Sequence, residues 1–220
     1  MHEEDEMISK KELEERSYSF LVRAERSERG NIITGRPIVY NSRTDLGYFD
    51  EIIEQGALNN TDLQDVRFLV NHDLSRIPLA RSRRNNGNST MQLTVDNEGM
   101  SIRVDLDTEN NSEARALYSA VERGDISGMS FMFSVRGEKW DNLESDHPTR
   151  RITDISNVVE VSAVTIPAYS ATTINARSKA ALDNARSALE SARQQNANPL
   201  DSGALELEKA KTILIMGGTS

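Results

Sequence analysis

The sequence predicts an α+β fold. In it, a β-rich and mostly antiparallel sheet or closed barrel has helices packed outside it, and a helical C-terminal tail follows. Three observations predict this class. Strand-like runs follow one another along the chain. A single convincing helix, Asn111–Gly124, interrupts them. After about Ala176, an amphipathic helical pattern replaces the strands.

The first part of the chain opens on a charged arm, residues 1–16, for which we expect a frayed helix or no fixed structure. Strand-like runs follow at Tyr18–Ala24 and Asn31–Tyr40. Alternating segments at Met91–Asp96 and Met100–Leu106 flank a turn and predict a hairpin.

The helix Asn111–Gly124 begins at a capping residue, Asn111 or Ser112, and ends at Gly124. The run Ser127–Ser134 then predicts a strand, and two more are predicted at Arg151–Ile155 and Asn157–Ile166.

The C-terminal tail, residues 177–220, carries an amphipathic helix over residues 180–193. A narrow apolar stripe runs along it, and a second short helical segment is predicted at 204–216. As a structural element, the tail either docks on the body or frays in solvent; as a functional element, it would be a removable arm that binds the capsid or the scaffold. The stripe consists of Leu182, Ala185, Leu189 and Ala192.

Composition excludes several classes of function. The chain has 220 residues with a formal charge of −9, which argues against tight binding to nucleic acid. It has no cysteine and three scattered histidines, which argues against disulfides, thiolate chemistry and a zinc site. No run is apolar and long enough to span a bilayer, and we expect no cofactor and no membrane partner.

Ser130 is the first candidate for chemistry. Alternation places Ser130 on one face of its strand with Met132, while Phe131 and Phe133 lie on the other. Gly128 allows a second backbone to come close. A serine in an accessible position there is a nucleophile if a base reaches it.

His72 is the best candidate for that base. It ends a predicted strand that begins at Val66, and a strand would hold its ring rigidly. His2 lies in the charged arm, and His147 lies in a predicted loop. The alternative is that His72 is a structural histidine at the end of a strand.

Glu160 interrupts the apolar strand that runs from Val158 to Ile166. A carboxylate on a buried strand face is costly unless it receives a hydrogen bond. Glu160 therefore either faces solvent or accepts a hydrogen bond from an imidazole N–H, and in the second case it would orient His72.

These blocks resemble the prohead maturation proteases of tailed bacteriophages, a family considered distantly related to herpesvirus assemblin. The Asn-His-Asp block around His72 and the Ser-Gly-Met-Ser block that ends at Ser130 are specific when they occur together in this order. The resemblance runs from about Tyr18 to Ala176. Its landmarks are Gly35–Tyr40, Phe49–Ala57, Phe68–Asp73, Arg123–Phe131 and Glu160–Ala168.

The resemblance implies a serine endopeptidase domain over residues 17–176, with His72 and Ser130 in its catalytic centre. Assemblin uses a second histidine as its third member. In this chain Glu160 stands at the comparable place, and His147 is the alternative. The implied substrates are the phage major capsid protein precursor, the scaffold and the protease itself, in an oligomer inside the procapsid in the host cytoplasm.

Two other functions are compatible with parts of the sequence. A non-catalytic scaffold or capsid-assembly factor would use the charged arm and the helical tail. A small-molecule serine esterase would use the same serine, although the sequence around Ser130 lacks the Gly-x-Ser-x-Gly pattern.

Overall fold

The computed structural model describes residues 13–18, 22–27, 30–165 and 171–197. Within these ranges, eleven strands and two helices follow one another along the chain. They are β1 Glu14–Tyr18, β2 Arg23–Ser27, β3 Gly30–Val39, β4 Arg43–Asp45, β5 Asp50–Ile53, β6 Arg67–Val70, β7 Ala80–Arg81, β8 Met91–Asp96, β9 Gly99–Leu106, α1 Ser112–Arg123, β10 Gly128–Asp141, β11 Thr149–Val164 and α2 Ala171–Ala197.

The larger sheet is built around a long hairpin of β10 and β11. Its strand order is β1-β10-β11-β5-β4, and β6 also pairs with β11 and with β7. β5 and β6 both run parallel to β11, against opposite ends of that strand, while the other pairs in this sheet are antiparallel. The sheet is therefore mixed. The two predicted strands, 151–155 and 157–166, merge into the single strand β11, which ends at Val164.

The smaller sheet has the order β2-β3-β9-β8 and is antiparallel throughout. The predicted hairpin at 91–106 is its β8–β9 pair, so that prediction is confirmed. Neither sheet closes on itself within the described residues, so the barrel form of the prediction is not confirmed.

An apolar core joins the two sheets. The smaller sheet contributes Ile33 and Val104, and the larger contributes Phe68, Phe131 and Val161, all of which are almost fully buried. Because one face of each sheet is committed to this core, polar side chains on the opposite face of the larger sheet are available for a site.

Helix α1 follows the sequence prediction closely. The side chain of Asn111 caps it by accepting hydrogen bonds from the backbone N–H groups of Glu113 and Ala114. Gly124 ends it with a φ of 80°, a conformation that glycine adopts without steric cost. Its buried face joins the core through Leu117, Tyr118 and Val121.

Helix α2 contains the predicted helix over 180–193. Leu182 is buried against Leu46 and Phe49, so this part of the tail docks on the body. Arg186 strengthens the contact by donating to the backbone oxygens of Leu143 and Ser145, at 3.1 and 2.8 Å. The predicted segment 204–216 lies outside the described residues, so the helical tail as a whole is not confirmed.

The N-terminal arm differs from its prediction where the structure describes it. The predicted arm includes Glu14, Glu15 and Arg16, but these residues form the first part of β1, which pairs with β10. No helix within the described ranges is long and apolar enough to cross a membrane.

Candidate active site

The sequence predicted that His72 ends a strand, and this prediction is wrong. Strand β6 ends at Val70, and the chain then turns through two residues with left-handed backbone, Asn71 at φ 51° and His72 at φ 60°. Two consecutive residues other than glycine in this region are uncommon, and such strain persists only where surrounding contacts hold it. The turn carries His72 away from the core face that Phe68 occupies.

Hydrogen bonds from β11 hold this turn in place. The backbone N–H of Asn71 donates to the carbonyl oxygen of Ala163 at 3.0 Å, and the Asn71 side-chain oxygen accepts from the Thr165 N–H at 3.0 Å. The backbone N–H of His72 donates to Ser162 Oγ at 3.1 Å. The position of His72 is therefore fixed by the end of β11, where Glu160 lies.

Glu160 is completely buried, at 0% exposure, and both of its carboxylate oxygens have partners. Oε1 lies 2.6 Å from His72 Nδ1, and Oε2 accepts a hydrogen bond from Ser162 Oγ at 2.5 Å. Of the two environments considered for Glu160, solvent is thus ruled out and the imidazole partner is present. A buried carboxylate satisfied in this way fixes the ring so that Nδ1 carries the proton.

Ser162 links the histidine to the carboxylate, and sequence reasoning missed it. Its hydroxyl accepts from the backbone of His72 and donates to Glu160, and the residue is fully buried. The only local signal was its place two residues after Glu160, on the same face of the strand.

Ser130 lies directly opposite Ser162 in the antiparallel pair of β10 and β11. Opposed residues share a face, so Ser130, Ser162 and Glu160 belong to one side of the sheet. The predicted alternation holds through Met132, but a bulge between Met132 and Phe133 then shifts the register.

Ser130 is also fully buried, at 0% exposure, whereas the sequence predicted an accessible hydroxyl. Its Oγ donates a hydrogen bond to the carbonyl oxygen of Arg16, in β1, at 2.8 Å. The structure thus brings Ser130, His72 and Glu160 to one face of the sheet and covers Ser130 with β1.

His72 Nε2, the ring nitrogen on the far side from Glu160, is buried and has no hydrogen-bond partner among the described residues. Glu15 Oε1 lies 3.2 Å from it, which is an ion-pair distance without the angles of a hydrogen bond. Burial lowers the pKa of His72. The hydrogen bond and charge of Glu160, with the charge of Glu15, outweigh burial and leave the pKa above its ordinary value.

A family model described as caudovirus prohead serine protease matches residues 8–186, most of the chain. The chain belongs to this family. It is therefore a serine protease of phage prohead maturation, and the resemblance stated from the sequence is confirmed. The family assignment gives no support to the scaffold or esterase alternatives.

Among solved structures, the protease is similar to the capsid assembly protease of bacteriophage T4, with 11% sequence identity and a TM-score of 0.40. The match covers 70% of this chain and 97% of the T4 chain. No curated protein matches the chain significantly.

The other histidine considered for catalysis, His147, lies at the opposite end of the protease's long hairpin. Its Nε2 is 3.3 Å from Asp50 Oδ1 and 3.8 Å from Asp45 Oδ1, on an exposed surface. The donor atoms of these three residues lie within 4.8 Å of one another. Asp50 already has an ion pair with Arg43 at 2.6 Å, and no other feature of the described residues there points to a metal.

A groove of about 740 Å³ lies beside the protease's His72 turn, between α1 and β6. Its lining is mostly apolar and includes Asn71, whose neighbour is His72. Other lining residues are Leu69, Ile77, Leu79, Leu117 and Ile126.

Proposed function

We propose that Ser130 is the nucleophile of this protease, that His72 is its general base and that Glu160 orients His72. The observation that carries the proposal is the 2.6 Å contact between His72 Nδ1 and Glu160 Oε1. It occurs on the face of the sheet where Ser130 stands in register with Ser162. Serine, histidine and carboxylate in this relation are the parts of a serine protease triad.

The reaction follows from these roles. Ser130 Oγ attacks the carbonyl carbon of the scissile peptide bond while its proton passes to His72 Nε2. The C–N bond then breaks, and His72 gives the proton to the leaving amine. Water hydrolyses the resulting ester by the same exchange, and Glu160 stabilises the imidazolium in both steps.

The proposed substrates are the major capsid protein precursor, the scaffold and further copies of the protease. We also propose that cleavage takes place in an oligomer inside the procapsid in the host cytoplasm. Membership of a prohead protease family supports this setting. In the proposed domain organisation, the catalytic body is residues 17–176 together with β1, and residues 177–220 form an arm that engages the shell or scaffold.

Co-expression with the capsid protein, followed by mass measurement of both chains, tests the proposal. We expect Ser130→Ala and His72→Ala to abolish processing, since loss of one such group costs on the order of 10⁶-fold in turnover. Ser134→Ala, a buried serine on the same strand, and His147→Ala are the matched controls and should process the precursor. Processing by Ser130→Ala at the wild-type rate would assign the nucleophile elsewhere.

A further inference from the structure

Strand β1 lies where a peptide would have to pass to reach Ser130. It is the edge strand of the larger sheet and runs antiparallel to β10, with Ser17 opposite Ser130. An extended peptide that adds to a sheet edge makes this same kind of pairing. Ser130 Oγ donates a hydrogen bond to the carbonyl oxygen of Arg16 at 2.8 Å. The backbone of the same chain therefore lies against the proposed nucleophile.

The same strand also contacts His72, the proposed base. Glu15 lies on the site face of β1, and its Oε1 is 3.2 Å from His72 Nε2, the atom that must accept the serine proton. The Ser130 proton is directed to a carbonyl oxygen instead. With β1 in place, neither the nucleophile nor the base is arranged for transfer of a proton between them.

Two other side chains of β1 fill a charged pocket in the body. Arg16 makes a two-pronged contact with Glu51 on β5, with Nε to Oε1 at 2.5 Å and Nη2 to Oε2 at 2.7 Å. Glu14 receives hydrogen bonds from Arg150 on β11, at 2.6 and 2.8 Å. Glu51 and Arg150 are almost completely buried.

This pocket has the properties of a built site for a peptide. Planar, two-pronged contacts distinguish arginine from lysine, so Glu51 is suited to select an arginine side chain. Arg150 is suited to bind the carboxylate of a residue that lies two positions before that arginine in the same peptide. Arg150 also bonds Glu51 at 3.1 Å and contacts Glu138, so the body's charges keep partners when β1 is absent.

We propose that Glu14–Tyr18 is a self-bound peptide that keeps the protease latent, and that Glu51 and Arg150 form a substrate subsite for extended peptides with the pattern acidic–any–arginine. The subsite takes the segment of its own chain first, and the matching segment of a second copy or a substrate when that segment has left. The proposal rests on the proposed roles of Ser130 as nucleophile and His72 as base.

The test weakens β1 and measures two independent quantities. Arg16→Lys keeps the charge but loses the two-pronged contact, and Arg16→Ala removes both. Arg26→Ala is the matched control, because that arginine lies on the next strand with its side chain 79% exposed. We expect both Arg16 variants to process capsid precursor about tenfold faster or more, since the active fraction rises when the closed state loses a charged contact.

Binding is measured without catalysis, in chains that also carry Ser130→Ala. A labelled synthetic peptide with the sequence Glu-Glu-Arg-Ser-Tyr should bind the Arg16→Ala chain and not the Arg26→Ala chain, whose site is filled. Replacing the peptide's arginine by alanine, or Glu51 by Gln in the protein, should weaken binding about tenfold or more. Fluorescence anisotropy gives both affinities.

Each outcome decides a separate question. If both Arg16 variants fold with unchanged melting temperature, process no faster and bind no peptide, then β1 is an ordinary structural strand and the proposal is wrong. If Arg16→Ala fails to fold, Arg16→Lys gives the same two readouts. If no chain shows cleavage that depends on Ser130 but the peptide still binds, the catalytic assignment fails and the subsite stands.

Discussion

Ser162 contacts two members of the site at once, although it takes part in no bond-making step. Its hydroxyl accepts from the His72 backbone and donates to Glu160, so it couples the strained turn to the carboxylate. Removing it would leave the His72 N–H and one carboxylate oxygen with one partner fewer in a buried place. Ser162 is therefore a positioning residue beside the proposed triad.

We expect Ser162→Ala to fold and to lower kcat by about 10²-fold with little change in KM, because misplacement of a catalytic group costs roughly that factor. Ser134→Ala is the control for loss of a buried hydroxyl. Ser162→Thr, which keeps the hydroxyl, should recover part of the rate. Equal rates for Ser162→Ala and wild type would mean that the turn holds His72 without this contact.

Glu160→Gln tests the origin of the raised His72 pKa. As the proposed base, His72 works unprotonated, so we expect kcat/KM to rise with pH through that pKa, which lies above the ordinary value of about 6.5. Glutamine removes the carboxylate charge that helps to raise the pKa of His72. The rise of kcat/KM on the acid side of the pH profile should therefore move to lower pH. The plateau should fall by as much as about 10⁴-fold, because the ring loses its fixed tautomer.

The control for that profile is Glu98→Gln, an exposed carboxylate on the β8–β9 turn. A Glu160→Gln limb at the wild-type pH would show that Glu15 or another group raises the pKa. A full wild-type plateau would remove Glu160 from the mechanism.

The two left-handed residues after β6 determine where His72, the proposed base, lies. The chain uses asparagine at the first of them, where its side-chain oxygen accepts from both the N–H and the hydroxyl of Thr165. Asparagine tolerates this backbone region better than most residues. The turn thus combines a permissive residue, Asn71, with a bond that ties it to the end of β11.

We expect Asn71→Ala to lower the free energy of unfolding by about 2 kcal/mol, from backbone strain and lost hydrogen bonds together. Asn71→Gly relieves the strain but not the lost bonds, so its loss should be smaller, while its rate should still fall. Chemical denaturation and steady-state kinetics measure the two effects. Equal stability of the alanine and glycine variants would show that the turn stores no strain.

Helix α2 packs against the body through Leu182. The sequence left open whether the tail docks or frays, and the burial of Leu182 against Leu46 and Phe49 favours docking. We expect Leu182→Ala to lower the free energy of unfolding by about 2 kcal/mol, the lower end for a buried leucine in a small cluster. Ala188→Gly, on the exposed face, is a control for helix propensity and should cost about 1 kcal/mol.

Removal of the residues after Ala176 would separate the structural role of the tail from its proposed role in recruitment to the shell. The docked contacts predict a lower melting temperature for a truncated chain carrying Ser130→Ala, and the proposed arm predicts fewer copies in assembled shells. Copy number is counted in purified procapsids. An unchanged copy number would place recruitment in another part of the chain.

Much of this architecture was predictable because its signals are local. Alternation located β8 and β9, and a capping asparagine and a glycine marked the ends of α1. Because the chain has three histidines, His72 had two competitors as the candidate base. The contacts of β1 were not predictable, because Arg16 meets Ser130 across 114 residues of sequence and no local pattern encodes that register. The charged residues of β1 resembled a solvated arm because their buried partners, Glu51 and Arg150, lie far along the chain.

The long hairpin of β10 and β11 also sets the moment during synthesis at which the site can first assemble. His72 is synthesised 88 residues before Glu160, and Ser130 is synthesised 32 residues before Ser162. At about 5–20 residues per second, that interval lasts about 2 to 6 s. Throughout it the nascent chain carries a serine and a histidine without the strand that aligns them. The N-terminal residues that cover Ser130 have by then long been synthesised, so the segment that blocks the site exists before the site does.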